Sequence, residues 1–181
     1  MRRCPAGAVN NVEWLVPWVV ASLIVSFAGS GGVSRVLGAR RIVAWLLLLS
    51  FGIILSATLT PIRDALEYGA AGVGVCDLTR IGPAPPTELR SINDTSLNIV
   101  LFVPLGAAVG LLPDVRRKVA VALPATVLPF VIEGLQLFAT ALQRGCQSAD
   151  VVDNLTGLAA GFIIGLGVAW VTGARMQRRR H

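Results

Sequence analysis

The stretch Ser148-Ala-Asp-Val-Val-Asp-Asn-Leu-Thr-Gly-Leu-Ala-Ala-Gly-Phe-Ile-Ile-Gly165 opens on polar groups and runs straight into an apolar segment. Read as a helix, it places Asp150, Asn154, Gly157, Gly161 and Gly165 on one face, because their spacings are four, three, four and four. The glycines form two overlapping small-xxx-small repeats, a pattern that lets a second helix approach closely in lipid. Asp150 and Asn154 then set a carboxylate and an amide at the mouth of that seam. Asp and Asn also begin helices well, so a packing seam with a polar start accounts for the stretch without any ligand.

Working outward, the whole chain has the same character. Its 181 residues are 54% hydrophobic and 14% charged, with a mean hydropathy of +0.70. That balance belongs to polytopic membrane proteins, and the length suits one bundle. A bilayer core of roughly 30 Å needs about 20 apolar residues in a helix. Five stretches meet that need: 14–34, 42–61, 95–113, 119–138 (interrupted only by Glu133) and 154–174. The expected fold is therefore all-α, a single integral-membrane domain over 1–181 with five spans. The early apolar run is read as a retained first span, since it lacks a small-residue cleavage site. The longest connection, about Pro61 to Asp94, contains Gly82-Pro-Ala-Pro-Pro86, which reads as extended or turn structure.

The net charge of +6 comes from arginines in short clusters between apolar runs. That arrangement reads as membrane topology rather than nucleic-acid binding. Counting Arg and Lys in alternate connections gives ten on one side (Arg35, Arg40, Arg41, Arg116 to Lys118, Arg175, Arg178 to Arg180) and six on the other. The positive-inside rule puts the richer side in the cytoplasm, with the amino terminus outside and the carboxy terminus inside. Trp14 and Trp18 then fall near the outer boundary and Trp45 and Trp170 near the inner one, where aromatic belts form. Pro104, Pro124 and Pro129 interrupt spans three and four, and Gly106 with Gly110 give span three a close-packing face of its own.

In that topology the polar residues gather on the outer side. Asp94 and Asn98 begin span three, Glu133 and Gln136 share a face of span four, and Arg144, Asp150, Asp153 and Asn154 follow. Glu133 is the sharpest member, about 21 Å along its helix from Val119. An ionised carboxylate at that depth needs a partner, water or a proton, and intramembrane ionisable residues are candidate functional sites. Arg144 is its expected counter-charge; a purely structural pair with Arg144, Asn98 or Asn154 is the competing reading. A net-acidic pocket of this kind suits an ammonium group, a divalent cation, or a sugar or peptide headgroup. No histidine lies near it, because His181 alone ends the chain, and no metal-ligand motif or cofactor signature is present. Cys76 and Cys146 fall in the two outer connections, where disulfides persist, and are expected to bridge; Cys4 remains as an odd thiol.

These residues resemble the VanZ-like family, small membrane proteins named for an accessory factor in teicoplanin resistance. The resemblance covers about 94–165 and rests on Asn98-Ile-Val-Leu-Phe-Val-Pro-Leu-Gly106, Glu133-Gly-Leu-Gln136, and Arg144 followed by Asp150 and Asn154-Leu-Thr-Gly157. The family often carries an acid three positions before the Asp matched by Asp150; here that position is Gln147, and an acid stands instead at Asp153. The resemblance implies a multi-pass protein of the bacterial cytoplasmic membrane and cell envelope. Three functional readings are open. The first is a non-enzymatic factor that binds an envelope lipid, a peptidoglycan-related headgroup or a membrane protein partner. The second is an enzyme acting on an envelope lipid through Glu133, Asp150 and Asp153. The third is a small proton-coupled transporter.

Overall fold

The computed structural model describes residues 15–60, 74–85, 87–139, 142 and 144–178, with side chains described as far as 173. Cys4, Trp14 and the first part of the long connection lie outside the described residues. Five α-helices are described: α1 (Leu15–Leu37), α2 (Arg41–Leu59), α3 (Asp94–Gly110), α4 (Val115–Phe138) and α5 (Ser148–Arg178). The chain fits the all-α class. Its described strand structure is a two-residue parallel pair, β1 (Cys76–Asp77) with β2 (Cys146–Gln147), which sequence reading does not anticipate.

Four helices are long and apolar enough to cross a membrane: α1, α2, α4 and the part of α5 from Ser148 to Gly173. The third expected span corresponds to α3, an apolar helix of 17 residues, about 25 Å long at 1.5 Å per residue. It stops short of the expected 113 because Pro113 disfavours helical backbone at the residue before it. In the other direction, α5 starts at Ser148 rather than 154, so Asp150, Asp153 and Asn154 belong to its first two turns. Likewise α4 starts at Val115 rather than 119, with Arg116 to Lys118 inside its first turn.

Local chemistry sets these ends. Gly38, at φ 53°, turns the chain sharply after α1, and the Arg117 guanidinium lies where a side chain at Gly38 would stand. The three-residue link makes α1 and α2 antiparallel neighbours. Asn93 and Ser96 form a reciprocal capping box at the start of α3, and Asp114 caps α4 by accepting from the Arg117 N–H. Along the helices the hydroxyls of Ser22, Ser26, Ser50, Ser56 and Thr58 donate to carbonyls three or four residues earlier. In an apolar medium this leaves no hydroxyl unsatisfied and needs no second helix.

The centre of the bundle is α3, with α5 packed along one side and α2 along another. Phe102, Leu105, Ala108, Val109 and Leu112 are buried there against Ile54, Leu128, Ile132 and Leu158. The two glycine sets meet in a single seam. A side chain on Gly157, Gly161 or Gly165 would collide with the carbonyls of Ile99, Val103 and Ala107, which are successive turns of α3. Reciprocally, one on Gly106 or Gly110 would collide with the carbonyls of Leu158 and Phe162. Backbone lies on backbone, which fixes α5 against α3 and with it the direction in which Asp150 and Asn154 project. At the periphery, α1 packs chiefly on α2.

Candidate functional site

The ends of α2 and α4 and the starts of α3 and α5 meet at one end of the bundle, and the expected polar residues gather there. A strap of chain from Cys76 to Asn93 crosses this end. It is fixed at three places. The Cys76–Cys146 disulfide closes a separation of 70 residues with Cα atoms 4.4 Å apart, as the placement of the two cysteines predicts. Ser148 Oγ donates to the carbonyls of Asp77 (3.2 Å) and Arg80 (2.8 Å). Finally, Arg80 grips Asp153 with both guanidinium ends, Nη1 to Oδ1 at 3.0 Å and Nη2 to Oδ2. Asp153 is only 1% exposed, so this bidentate pair is what makes its charge tolerable in the interior. The same hydrogen bond raises the pKa of Arg80.

Sequence reasoning does not single out Arg80, although a signal exists. If Cys76 is bonded to Cys146, then Arg80, four residues on, lies within about 14 Å of that bridge. That is close enough to reach the first turns of α5.

The other members of the constellation divide into two groups. Glu133, 5% exposed, accepts the backbone N–H of Gln147 at 2.7 Å. Its carboxylate therefore pins the residue next to the disulfide. The expected Glu133–Arg144 pair is replaced by a different arrangement. Arg144 Nη2 donates to the Ala57 carbonyl at 2.8 Å and its Nε to that of Thr60 at 3.4 Å. Gln136 Nε2 donates to the Thr58 carbonyl at 3.0 Å. Together these side chains satisfy carbonyls that the end of α2 leaves open, and a cation at a helix carboxy terminus is favourable. Arg144 thus caps α2, and its charge acts on Glu133 without a direct ion pair between them. Burial pulls its pKa below the usual arginine range, against the opposing charges of Asp150, Asp94 and Glu133.

The second group faces a cleft. A cavity of about 400 Å³ is lined by Asp77, Thr79, Arg80 and Glu88 from the strap, and by Asn93, Asp94, Thr95, Gln147, Ala149 and Asp150 from the helix starts. Asn98 lies beside Asp150, one turn below Asp94. The Asp77 carboxylate accepts the Thr79 N–H at 2.9 Å, which holds its pKa below the ordinary value. Thr95 Oγ1 donates to Glu88 Oε2 at 3.3 Å. Asn154 is 1% exposed and its Oδ1 has no hydrogen-bond partner among the described residues, although its place on α5 lies one turn below Asp150.

Of the eight expected binding residues, then, Asp94 and Asp150 line the cleft, Asn98 adjoins it, and Asn154 is buried one turn below Asp150. Glu133, Gln136, Arg144 and Asp153 are turned to partners inside the protein. Among the described residues no three His, Cys, Asp or Glu side chains are placed to hold one metal ion. The cleft can take hydrogen-bond donors and positive charge, since it has four carboxylates against one guanidinium already engaged by Asp153. The sequence matches no family model, no curated protein and no solved structure.

Proposed function

We propose that this chain is a VanZ-like protein of the bacterial cytoplasmic membrane, with five spans, the amino terminus outside and the polar cleft facing outward. In this reading α3 is the third span, a short one, and the cleft binds the headgroup of an envelope lipid or of a peptidoglycan-related molecule without transforming it. The observation that carries the proposal is the cleft. Asp94 and Asp150, from helices locked together by the glycine seam, face Asp77 and Glu88 across about 400 Å³. An amine-bearing or hydroxyl-rich headgroup complements such a wall through charge-assisted hydrogen bonds. The order of the short motifs between Asn98 and Gly157 supports the family reading, and the ten-to-six distribution of basic residues supports the orientation. An effect on teicoplanin susceptibility would follow from occupancy of such a headgroup.

The enzyme reading through Glu133, Asp150 and Asp153 finds less support, because only Asp150 of the three lines the cleft. The test is a mass spectrum of lipids retained by gently purified protein. The wild type is expected to keep an amine- or hydroxyl-rich envelope lipid, and Asp94→Asn with Asp150→Asn to lose it while melting at the wild-type temperature. Equal retention by both proteins would end the proposal.

A further inference from the structure

The strap that walls the cleft carries two unlike sets of side chains. Asp77, Thr79, Arg80 and Glu88 line the cavity, while Leu78, Ile81, Leu89 and Ile92, with Val75 just before the strap, are large apolar side chains left exposed. Ile81 is 76% and Ile92 91% exposed. In water, five large apolar side chains within so short a segment form a contact surface in search of an occupant. We infer that the occupant is the bilayer itself: the strap lies in the lipid interface beside α3, apolar face down, and the polar cleft opens at headgroup level.

Two observations select lipid over a soluble partner or a second copy. The first is continuity. Ile92 leads into α3, whose exposed Leu97, Val100 and Pro104 recur at three- and four-residue spacing on one side of the helix. The exposed apolar residues of the strap thus run along the chain into an exposed apolar stripe on α3. The second is length. At 17 residues, α3 measures about 25 Å, roughly 5 Å less than the hydrocarbon core. Such mismatch is costly unless the bilayer thins or flanking residues supply apolar height. Leu89, in the short 3-10 turn Glu88–Arg90, and Ile92 stand next to that short end and supply exposed apolar surface there. Arg90, exposed between them, can keep its charged head in the aqueous layer while its stem lies along apolar surface. The inference requires only that the bundle sit in a membrane; it holds whether or not the cleft binds a headgroup.

The test uses wild-type protein in nanodiscs containing a phospholipid with a diazirine in the upper acyl chain. After illumination, trypsin releases the strap as the peptide Ile81–Arg90. Lipid adducts on that peptide, at a yield within about threefold of those on α3, are the expected result; adducts on the helices and none on Ile81–Arg90 would overturn it. Ile92→Trp distinguishes the remaining occupants, with the intact Cys76–Cys146 bridge as the sign of correct folding. Its added emission should be quenched by brominated lipid and shielded from acrylamide. Quenching by acrylamide would put the strap in water, and shielding from both quenchers would put a protein there; either outcome refutes the inference.

Discussion

The α3–α5 seam and the strapped end of the bundle hold helices together by opposite means. In the seam nothing intervenes between two backbones, and specificity is a matter of missing side chains at Gly106, Gly110, Gly157, Gly161 and Gly165. At the strapped end the joins are made by side chains. The Cys76–Cys146 bridge and the Arg80–Asp153 pair join side chain to side chain, while Glu133 on Gln147, Gln136 on Thr58, Arg144 on Ala57 and Ser148 on Arg80 hold distant main chain. The first kind of contact is insensitive to charge, pH or redox state. The second depends on all three, and it is the end that carries the cleft. A rigid frame beneath a conditionally assembled wall is what a site needs if its position is fixed and its opening adjustable.

That contrast can be broken or sharpened in order of effect. Removing the disulfide with Cys76→Ser and Cys146→Ser frees a loop closed over 70 residues and should cost about 4 kcal/mol in the chain-entropy account. The measurement is the melting temperature in detergent, with and without a dithiol; reductant should lower it for the wild type and leave the double variant unmoved. Arg80→Ala strands the buried Asp153 carboxylate and should cost about 3 kcal/mol. Arg80→Ala with Asp153→Leu should recover most of that loss, and a double variant no better than the single one would show that the pair is not what fixes the strap.

In the seam, Gly161→Ala forces a methyl group against the Val103 carbonyl and should cost about 2 kcal/mol. The same change at Gly31, inside α1 where nothing lies within 4 Å, meets no clash and should stabilise by up to about 1 kcal/mol through helix propensity. Equal effects at the two glycines would dissolve the distinction between the two regions. The smallest effect belongs to Glu133→Gln. An amide oxygen can still accept the Gln147 N–H, so the fold should survive within about 1 kcal/mol. Retention of lipid by this variant would assign Glu133 to the frame rather than to the site.

The sequence makes the seam legible because a repeat of four within one segment is a local signal, and two such segments need each other. The apolar helices are legible for the same reason. The disulfide is legible from topology, since both cysteines fall in connections on one side. What the sequence does not disclose is pairing over distance. Arg80 meets Asp153 across 73 residues, and Arg144 meets Ala57 across 87; nothing local to either arginine names its partner. The helix starts at Ser148 and Val115 are also hidden from hydropathy, which detects where a segment turns apolar, whereas helical hydrogen bonding begins as soon as a cap is available. Asp153 is the instructive case. By hydropathy it lies outside the last span, in the fold it sits inside a helix at 1% exposure, and only an arginine from the strap makes that placement possible.

Amide hydrogen exchange on the oxidised and reduced protein in nanodiscs tests the central claim most directly, that the strap and its disulfide assemble the wall of the cleft on a frame that does not need them. On reduction, exchange should rise in the strap from Asp77 to Ile92 and at the Gln147 amide, while amides of α3 and α5 along the glycine seam stay protected. An unchanged strap after verified reduction, or loss of protection throughout the bundle, would contradict it.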